Sequence, residues 1–286
     1  MRVIKASKIV EEVSKLAISA NLFFPDHLTL LLRQSLKKEE SSLAKQAISA
    51  ILNNIKIAGT ERLPLCQDTG MVSIFLRIGS EVKVDLENFT SLSEVASKGV
   101  EEGYRKGYFR KSISQPLSRQ ILNEESPILY IEIISGDRFD ISLLVRGFGA
   151  ENLGRVTSFS PTAKMKEIED FILEAINKRA INACPPIFLG LGFGGTTEKA
   201  LLLSKEALLE MALNRKRERS PEDKILQKLE KDLFKKINKL GIGPAGLGGK
   251  ATILGVRAKS FPTHIAGLPL GISISCWALR AKAATI

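Results

Sequence analysis

The chain has 286 residues, of which 44% are hydrophobic and 26% charged, and its formal net charge is +11 at pH 7. This length can bury a sizeable core, and the composition is that of an ordinary globular protein. The first residues lack the apolar core and cleavage site of a signal peptide, and no apolar stretch is long enough to span a membrane. We therefore expect a cytoplasmic protein with no membrane partner.

The excess of positive charge is interleaved with acidic residues, as in residues 215–219 and 230–236. Mixed-sign charge on helical patterns is typical of solvated helix faces, so we expect no nucleic-acid partner. Part of the excess can instead serve an acidic substrate. The basic stretch from Asn214 to Ser220 links two predicted helices, and we expect it to be a mobile surface segment.

The first third of the chain has a helical pattern. Apolar residues recur at helical spacing from Ser7 to Leu22, and further helices are predicted after Pro25, with Asp26 as N-cap, and after Ser42. The rest of the chain alternates between predicted strands and predicted helices. Strands are predicted over 71–78, 82–86, 128–134, 139–145, 187–191 and 251–256, with a last one ending at Cys276, and helices over 92–108, 164–182, from Thr196 or Thr197 onward, and up to about Gly241.

These elements predict an α+β fold, with a mixed β-sheet flanked by helices and a helical N-terminal region, in one domain over residues 1–286. Residues Ser135 to Arg138, between two predicted strands, have the composition of a hairpin turn.

The most informative loop is Leu63-Pro64-Leu65-Cys66-Gln67-Asp68-Thr69-Gly70, between a helical pattern and a strand pattern. Pro and Gly at its two ends mark it as a loop, and it holds a thiol, an amide and a carboxylate side by side. Two other segments bring glycines close together. Gly147 and Gly149 let the main chain approach another group, while Gly192 to Gly195 favour either an anion site at a helix start or a simple tight turn.

The three cysteines, Cys66, Cys184 and Cys276, each lie where a regular element meets a loop. Their number is odd and they are far apart in the sequence, which argues against a disulfide framework and against a zinc site with closely paired ligands. Two interpretations stay open from spacing alone. They are either unrelated buried cysteines or the three thiolates of a cubane cluster that leaves one of its four irons uncovered.

Five motifs occur together along almost the whole chain and resemble those of the iron-sulfur class I fumarases and L-tartrate dehydratases. They are Leu65-Cys66-Gln67-Asp68-Thr69-Gly70, Arg146-Gly147-Phe148-Gly149-Ala150-Glu151-Asn152, Cys184-Pro185-Pro186 with Gly192-Phe193-Gly194-Gly195, Gly241-Ile242-Gly243-Pro244 with Gly248-Gly249-Lys250, and Pro262-Thr263-His264 through Cys276. The resemblance implies a hydro-lyase whose [4Fe-4S] cluster is ligated by Cys66, Cys184 and Cys276, with one iron that no cysteine ligates.

The same resemblance implies roles for other residues. Asp68 and His264 match catalytic positions, with Asp68 in proton transfer. The positions that match substrate-binding residues are Gln67, Asp68, Arg110, Gly147, Gly149 and Lys250. Other interpretations remain for several of these. Asp68 could simply make a turn, Arg110 could cap a helix, Arg105 is a nearby alternative, and Lys250 could merely end a glycine turn. His27 has no motif to support it.

The chain resembles the α subunit of the two-subunit form, so we expect a separate β subunit in a hetero-oligomer of α2β2 type and a small dicarboxylate substrate. Hydration of fumarate to L-malate is the first expectation, and dehydration of L(+)-tartrate is the alternative. A different class of function, a non-catalytic, basic metal-binding protein, also stays open.

Overall fold

The computed structural model describes residues 1–217 and 220–286. Its helices are α1 (Ala6–Leu22), α2 (Asp26–Lys38), α3 (Ser42–Glu61), α4 (Leu92–Lys106), α5 (Phe148–Glu151), α6 (Met165–Arg179), α7 (Thr197–Ala212) and α8 (Asp223–Lys239). Its strands are β1 (Arg2–Lys5), β2 (Met71–Gly79), β3 (Val82–Asp85), β4 (Ile128–Ile134), β5 (Phe139–Arg146), β6 (Arg155–Phe159), β7 (Ile187–Gly194), β8 (Ile253–Phe261), β9 (Leu268–Ser275) and β10 (Arg280–Thr285). Short 3-10 helices cover Ala180–Ala183 and Pro244–Gly246. The α+β prediction is confirmed.

The chain divides into two compact units. Unit 1 comprises Met1–Phe24, Ile55–Phe148 and Arg280–Ile286, and unit 2 comprises Pro25–Asn54 and Gly149–Leu279. The single domain expected over residues 1–286 stays a prediction. No helix in the described part of the chain is both long and apolar enough to cross a bilayer.

Unit 1 contains a four-stranded sheet with the order β10-β5-β2-β4 and a small parallel pair, β1 with β3. Helices α1 and α4 pack closely because α4 carries glycines at the contact. A Cβ on Gly99 would lie 2.6 Å from Cβ of Val13, and one on Gly103 would lie 2.8 Å from the carbonyl oxygen of Ser14. The helical pattern from Ser7 to Leu22 is thereby explained, since its apolar face forms much of the core of unit 1.

The predicted hairpin between β4 and β5 is wrong, although both strands are present. Strand β2 lies between them, parallel to β4 and antiparallel to β5. The connection over Ser135 to Arg138 passes across the end of β2, where Gly79 leaves room. A Cβ there would be only 2.2 Å from the carbonyl oxygen of Gly136. The four-residue turn is therefore a crossing over a third strand, which local sequence cannot distinguish from a hairpin.

Unit 2 contains a second four-stranded sheet, with the order β6-β9-β7-β8, in which β7 is parallel to β8 and antiparallel to β9. Helix α7 lies directly on this sheet because glycines line the contact. A Cβ added to Gly190 would lie 2.1 Å from the Ser204 carbonyl oxygen. A Cβ added to Gly192 or to Gly271 would lie 2.0 Å or 2.3 Å, respectively, from the Ala200 carbonyl oxygen. Apolar residues of α6 and α8 join those of β7 and β9 in one core.

Several local predictions need correction. Asp26 is the first residue of α2 rather than its N-cap, which is Pro25. Thr196, one of the two predicted residues, is confirmed as the N-cap of α7, although its hydroxyl donates to Glu198 at 2.6 Å instead of to the helix main chain. Residues 215–217 are not helical. Arg217 is largely buried and bonded to Asp223 and Glu230, so it is not on a solvated helix face.

The mobile segment predicted over 214–220 includes Glu218 and Arg219, which lie outside the described residues. Three strands were not predicted: β1, β6 and β10.

Candidate functional site

The Cys66 loop is held at its start by helix α1. The Leu65 main-chain N–H donates to the carbonyl oxygen of Asn21 at 2.8 Å, and Leu65 itself is buried. Cys66 is partly exposed and Gln67 is exposed. The loop ends at Gly70, whose φ of +73° lies in the left-handed region that glycine adopts without strain. The loop predicted from Pro and Gly is therefore present, with one anchored end and an exposed centre.

Asp68 is fixed by two main-chain donors. Its Oδ1 accepts from the Gly70 N–H at 2.9 Å, and its Oδ2 accepts from the Phe148 N–H at 2.8 Å. Gly147 permits the second bond, because a Cβ at that position would lie 2.9 Å from Oδ2. The close approach predicted for the Gly147 segment is thus an approach to Asp68. The structure brings these two predicted site residues together and orients the carboxylate.

Thr69 joins the same loop to the segment that follows α4. Its hydroxyl donates to the carbonyl oxygen of Arg110 at 2.6 Å, while the Tyr104 hydroxyl donates to the Thr69 carbonyl oxygen at 2.7 Å. Burial raises the pKa of the Tyr104 hydroxyl, and the nearby positive charge of Arg280 opposes part of that effect. Tyr104 is thus a neutral hydrogen-bond donor at neutral pH. The side chains of Arg110 and Arg105 are both exposed.

Arg280 was not identified from the sequence. It begins β10 and is only 1% exposed, and its Nη1 donates to Oδ1 of Asn21 at 2.8 Å. Neither residue stands in a motif, and a lone arginine in a short polar strand gives no signal of burial. Only the pairing of β10 with β5 shows that Arg280 lies inside unit 1.

Cys184 and Cys276 lie at one end of the sheet of unit 2. Cys184 follows the 3-10 helix Ala180–Ala183, has a φ of +52° and is exposed. Cys276 comes directly after β9, whose last residue, Ser275, pairs with Phe188 near the start of β7. The glycine-rich segment reaches the same end of the sheet, because the Ala245 N–H donates to the carbonyl oxygen of Pro185 at 2.7 Å.

Lys250 is positioned through its main chain. The carboxylate of Glu39 accepts from the N–H groups of Lys250 at 2.7 Å and Ala251 at 3.3 Å, and also from those of Glu40 and Ser41. Burial alone would raise the pKa of the Glu39 carboxyl, but the four main-chain donors together hold it below its usual value. The Lys250 ammonium forms an exposed ion pair with Glu40.

His264 lies at the opposite end of the same sheet from the two cysteines. It is exposed in a turn between β8 and β9, where its Nδ1 is 3.2 Å from the Ala266 nitrogen. The end of β8 pairs with Gly194 of β7, six residues beyond Phe188. This separation corresponds to about 20 Å along the strand, so unit 2 does not bring His264 to Cys184 and Cys276.

The remaining candidates have structural contacts in unit 2. Gly149 lies in α5, where a Cβ would be in ordinary contact with the carbonyl oxygen of Asn182. His27 Nε2 is 2.9 Å from the Met211 carbonyl oxygen, which favours a structural role. Gly194 and Gly195 have positive φ, and the Gly195 N–H donates to the Pro262 carbonyl oxygen. The tight turn, rather than an anion site, is the interpretation that these contacts favour.

Neither unit by itself places three or more His, Cys, Asp or Glu side chains where they could hold a metal ion, within residues 1–217 and 220–286. The donor set nevertheless suits an iron-sulfur cluster in its chemistry. All three cysteines are thiols rather than disulfides in the described chain; Cys66 lies in the middle of the loop between α3 and β2, and Cys184 and Cys276 directly follow a 3-10 helix and a strand. Thiolates are the ligands such clusters take.

Comparison with known proteins gives the family. The family model described as fumarate hydratase (Fumerase) matches residues 10–285. The chain belongs to this fumarate hydratase (Fumerase) family. Its members include the tartrate dehydratase α subunits, so the chain is of a hydro-lyase family.

Two relatives in the Fumerase family illustrate the range of similarity. A protein of Methanocaldococcus jannaschii, provisionally named L(+)-tartrate dehydratase subunit alpha, is 36% identical over 279 residues, covering 96% of this chain and 95% of its own length. The L(+)-tartrate dehydratase subunit alpha of Escherichia coli (strain K12) is 28% identical over 279 residues, covering 96% of this chain and 89% of its own length.

Proposed function

We propose that the chain is the cluster-binding subunit of a [4Fe-4S]-dependent hydro-lyase that adds water to, or removes it from, a C4 dicarboxylate. The observation that carries the proposal is the geometry of the Cys66 loop. It holds the Asp68 carboxylate between the N–H groups of Gly70 and Phe148, two residues from a thiol. Membership of the Fumerase family supports the reaction type.

Cys66, Cys184 and Cys276 would hold the cluster, leaving one iron without a cysteine. When bound, this cluster supplies a Lewis acid that makes a hydroxyl a better leaving group. Asp68 is the protein group that takes or returns a proton, since its carboxylate is partly exposed and already oriented. Gln67 is exposed next to Asp68 in the chain and Arg110 is exposed with its main chain bonded to Thr69, so both would bind the substrate carboxylates, with Gly147 against Asp68.

Gly149 and Lys250 remain proposed substrate-binding residues and His264 a proposed catalytic residue of the same reaction, although unit 2 holds His264 about 20 Å from Cys184 and Cys276. All three belong to unit 2. Arg110 suits its role because a guanidinium can bind a carboxylate through two parallel hydrogen bonds.

Two substrates are in question, and fumarate hydration to L-malate is the first. Dehydration of L(+)-tartrate is the second, favoured by the names of both relatives described above. The two reactions share the same bond change: a proton and a hydroxyl group leave adjacent carbons, or are added to them. Comparing kcat/KM for fumarate, L-malate and L(+)-tartrate distinguishes them, because specificity is the ratio of those constants.

A second polypeptide completes this proposal. Both relatives are named as alpha subunits, so we infer a β subunit and a hetero-oligomer of α2β2 type, in the cytoplasm. The chain purified alone should be nearly inactive, and activity should appear when the β subunit is added. Full turnover by the isolated chain would contradict the two-subunit arrangement.

Anaerobic reconstitution with iron and sulfide tests the cofactor. We expect about four irons and four sulfides per chain, and loss of the cluster in Cys66→Ser, Cys184→Ser and Cys276→Ser, each with the circular dichroism of the wild type. Reconstitution with zinc alone serves as the control. A stoichiometric zinc protein that takes up no sulfide would support the non-catalytic, metal-binding alternative instead.

A further inference from the structure

The largest almost completely enclosed side chain among the described residues is a charged one, Arg280. It is the first residue of β10 and pairs with Val145 of β5. Taking a guanidinium out of water is unfavourable unless its surroundings compensate for the lost hydration. The groups around Arg280 therefore indicate what its burial achieves in unit 1.

One connection runs from Arg280 to the start of the Cys66 loop. Its Nη1 donates to Asn21 Oδ1 at 2.8 Å, and Asn21 is itself fully buried. The Asn21 amide nitrogen donates to the Ala17 carbonyl oxygen, which fixes the side chain on α1. Its main-chain oxygen accepts from the Leu65 N–H at 2.8 Å, immediately before Cys66. Arg280 thus orients the residue that anchors the loop.

A second connection runs from Arg280 to the carboxylate of the loop. Arg280 Nη2 lies 3.7 Å from the point that a Cβ on Gly147 would occupy, and Asp68 Oδ2 lies 2.9 Å from the same point. The guanidinium nitrogen and the carboxylate oxygen therefore both border the space that Gly147 leaves empty, at most about 6.6 Å from each other. At this separation the two opposite charges attract each other without forming a direct ion pair.

The hydrogen bonds of the guanidinium do not by themselves explain its burial. Arg280 Nε is buried and has no hydrogen-bond partner among the described residues. A buried donor left unpaired is unfavourable and rare in folded proteins. An apolar side chain would fill this position without that disadvantage, so the positive charge itself is the feature that matters.

We propose that Arg280 is a positioning residue for the loop of residues 65–70, acting through Asn21 at its start and through Asp68 at its centre. It does not touch the substrate. Its effect on catalysis rests on the proposed function, in which Asp68 moves a proton, whereas its effect on the loop does not depend on that function.

Amide hydrogen exchange on the full chain tests the proposal without any cluster or activity. The informative amides are those of Leu65, Gly70 and Phe148, whose acceptors belong to Asn21 or Asp68. We expect Arg280→Met to accelerate exchange at all three by about tenfold or more, because local opening then requires less free energy. Arg280→Lys keeps the charge and should give an intermediate effect.

Lys282→Met is the matched control, since it removes a positive charge from the same strand two residues away. It should leave the three amides unchanged. Amides in the middle of β5 should exchange at the wild-type rate in all variants. Unchanged exchange at the three amides in Arg280→Met, or equal acceleration throughout the sheet of unit 1, would overturn the proposal.

Kinetics with the β subunit present provide the second measurement. A misplaced Asp68 should lower kcat by about tenfold or more while KM changes less than about twofold, since the substrate contacts remain. A raised KM at unchanged kcat would assign Arg280 to substrate binding and refute positioning. If the wild-type complex shows no hydro-lyase activity, the proposed function fails, while hydrogen exchange still decides the role of Arg280.

Discussion

Replacing Gly70 by alanine tests whether the end of the Cys66 loop is as tightly confined as the structure indicates. Gly70 has a φ of +73°, and a Cβ there would lie 2.4 Å from the Arg146 carbonyl oxygen and 2.7 Å from its carbon. Both contacts are with main chain, so no side chain can rotate away to relieve them. The loop or the end of β5 has to move.

Two contributions set the expected loss of stability. The left-handed conformation destabilises a non-glycine residue by about 1–2 kcal/mol. Overpacking against fixed main chain typically adds about 1–3 kcal/mol. We therefore expect Gly70→Ala to lower the free energy of unfolding of unit 1 by about 2–5 kcal/mol, which is a large part of the stability of an ordinary domain.

Gly136→Ala is the matched control, because Gly136 has a φ of +88° but a Cβ there would meet no described atom within 4 Å. It should show the conformational contribution alone, about 1–2 kcal/mol. Urea unfolding followed by circular dichroism, together with hydrogen exchange of β5 amides to report on unit 1, measures both variants. Equal losses in the two variants would refute the close approach at Gly70.

Three further substitutions, one of them with a matched control, test unit 2. Glu39→Gln should lower the free energy of unfolding by about 2–4 kcal/mol at pH 7, since two of its four main-chain donors lose their acceptor. Because the pKa of Glu39 is held below its usual 4.5, the stability that its carboxylate contributes is present above that pH and is lost as the pH falls through the folded-state pKa. The urea midpoint of the variant should therefore decline less on acidification than that of the wild type. A parallel decline of the two midpoints would contradict this. Lys250→Met should change stability by less than about 0.5 kcal/mol, because its ion pair is exposed, and should raise the KM for the dicarboxylate. An unchanged KM would remove Lys250 from the substrate-binding residues. Gly192→Ala should destabilise unit 2 by about 1–3 kcal/mol in urea unfolding, because its Cβ would lie 2.0 Å from the Ala200 carbonyl oxygen. Gly149→Ala is the control and should not destabilise it, since the nearest contact of its Cβ would be at 3.6 Å. Similar urea midpoints for the two variants would argue against close packing of α7 on the sheet.

Local sequence predicted the elements whose pattern repeats over several turns or along a whole strand. The helix predicted from Ser7 to Leu22 and the strand from Ile128 to Ile134 both agree with the structure to within a residue. The pairing of strands that are distant in the sequence could not be predicted from such patterns. Strand β2 separates β4 from β5 because of contacts between residues far apart in sequence, and the turn from Ser135 to Arg138 is compatible with either arrangement.

The candidate site likewise contains some residues that the sequence could identify and others that it could not. The loop around Cys66 and Asp68 and the approach of the Gly147 segment follow from residue types, because glycine and proline mark loops and close contacts. Asn21 and Arg280 could not be found in this way. Each is an isolated polar residue in an otherwise ordinary element, and its importance comes from burial, which depends on how β10 packs in unit 1. Similarly, the sequence around Glu39 does not show that its carboxylate accepts hydrogen bonds from four main-chain N–H groups.

The pairing of β10 with β5 has a consequence for synthesis of the protein. Arg280 pairs with Val145, so more than a hundred residues are made between the two partners, including the whole of Gly149–Leu279. Until β10 has emerged from the ribosome, the nascent sheet has an open edge at β5 and Arg280 has not reached Asn21. Ordering of the Cys66 loop should therefore wait until β10 has been made, and any metal loading that depends on an ordered loop should come after that point of synthesis.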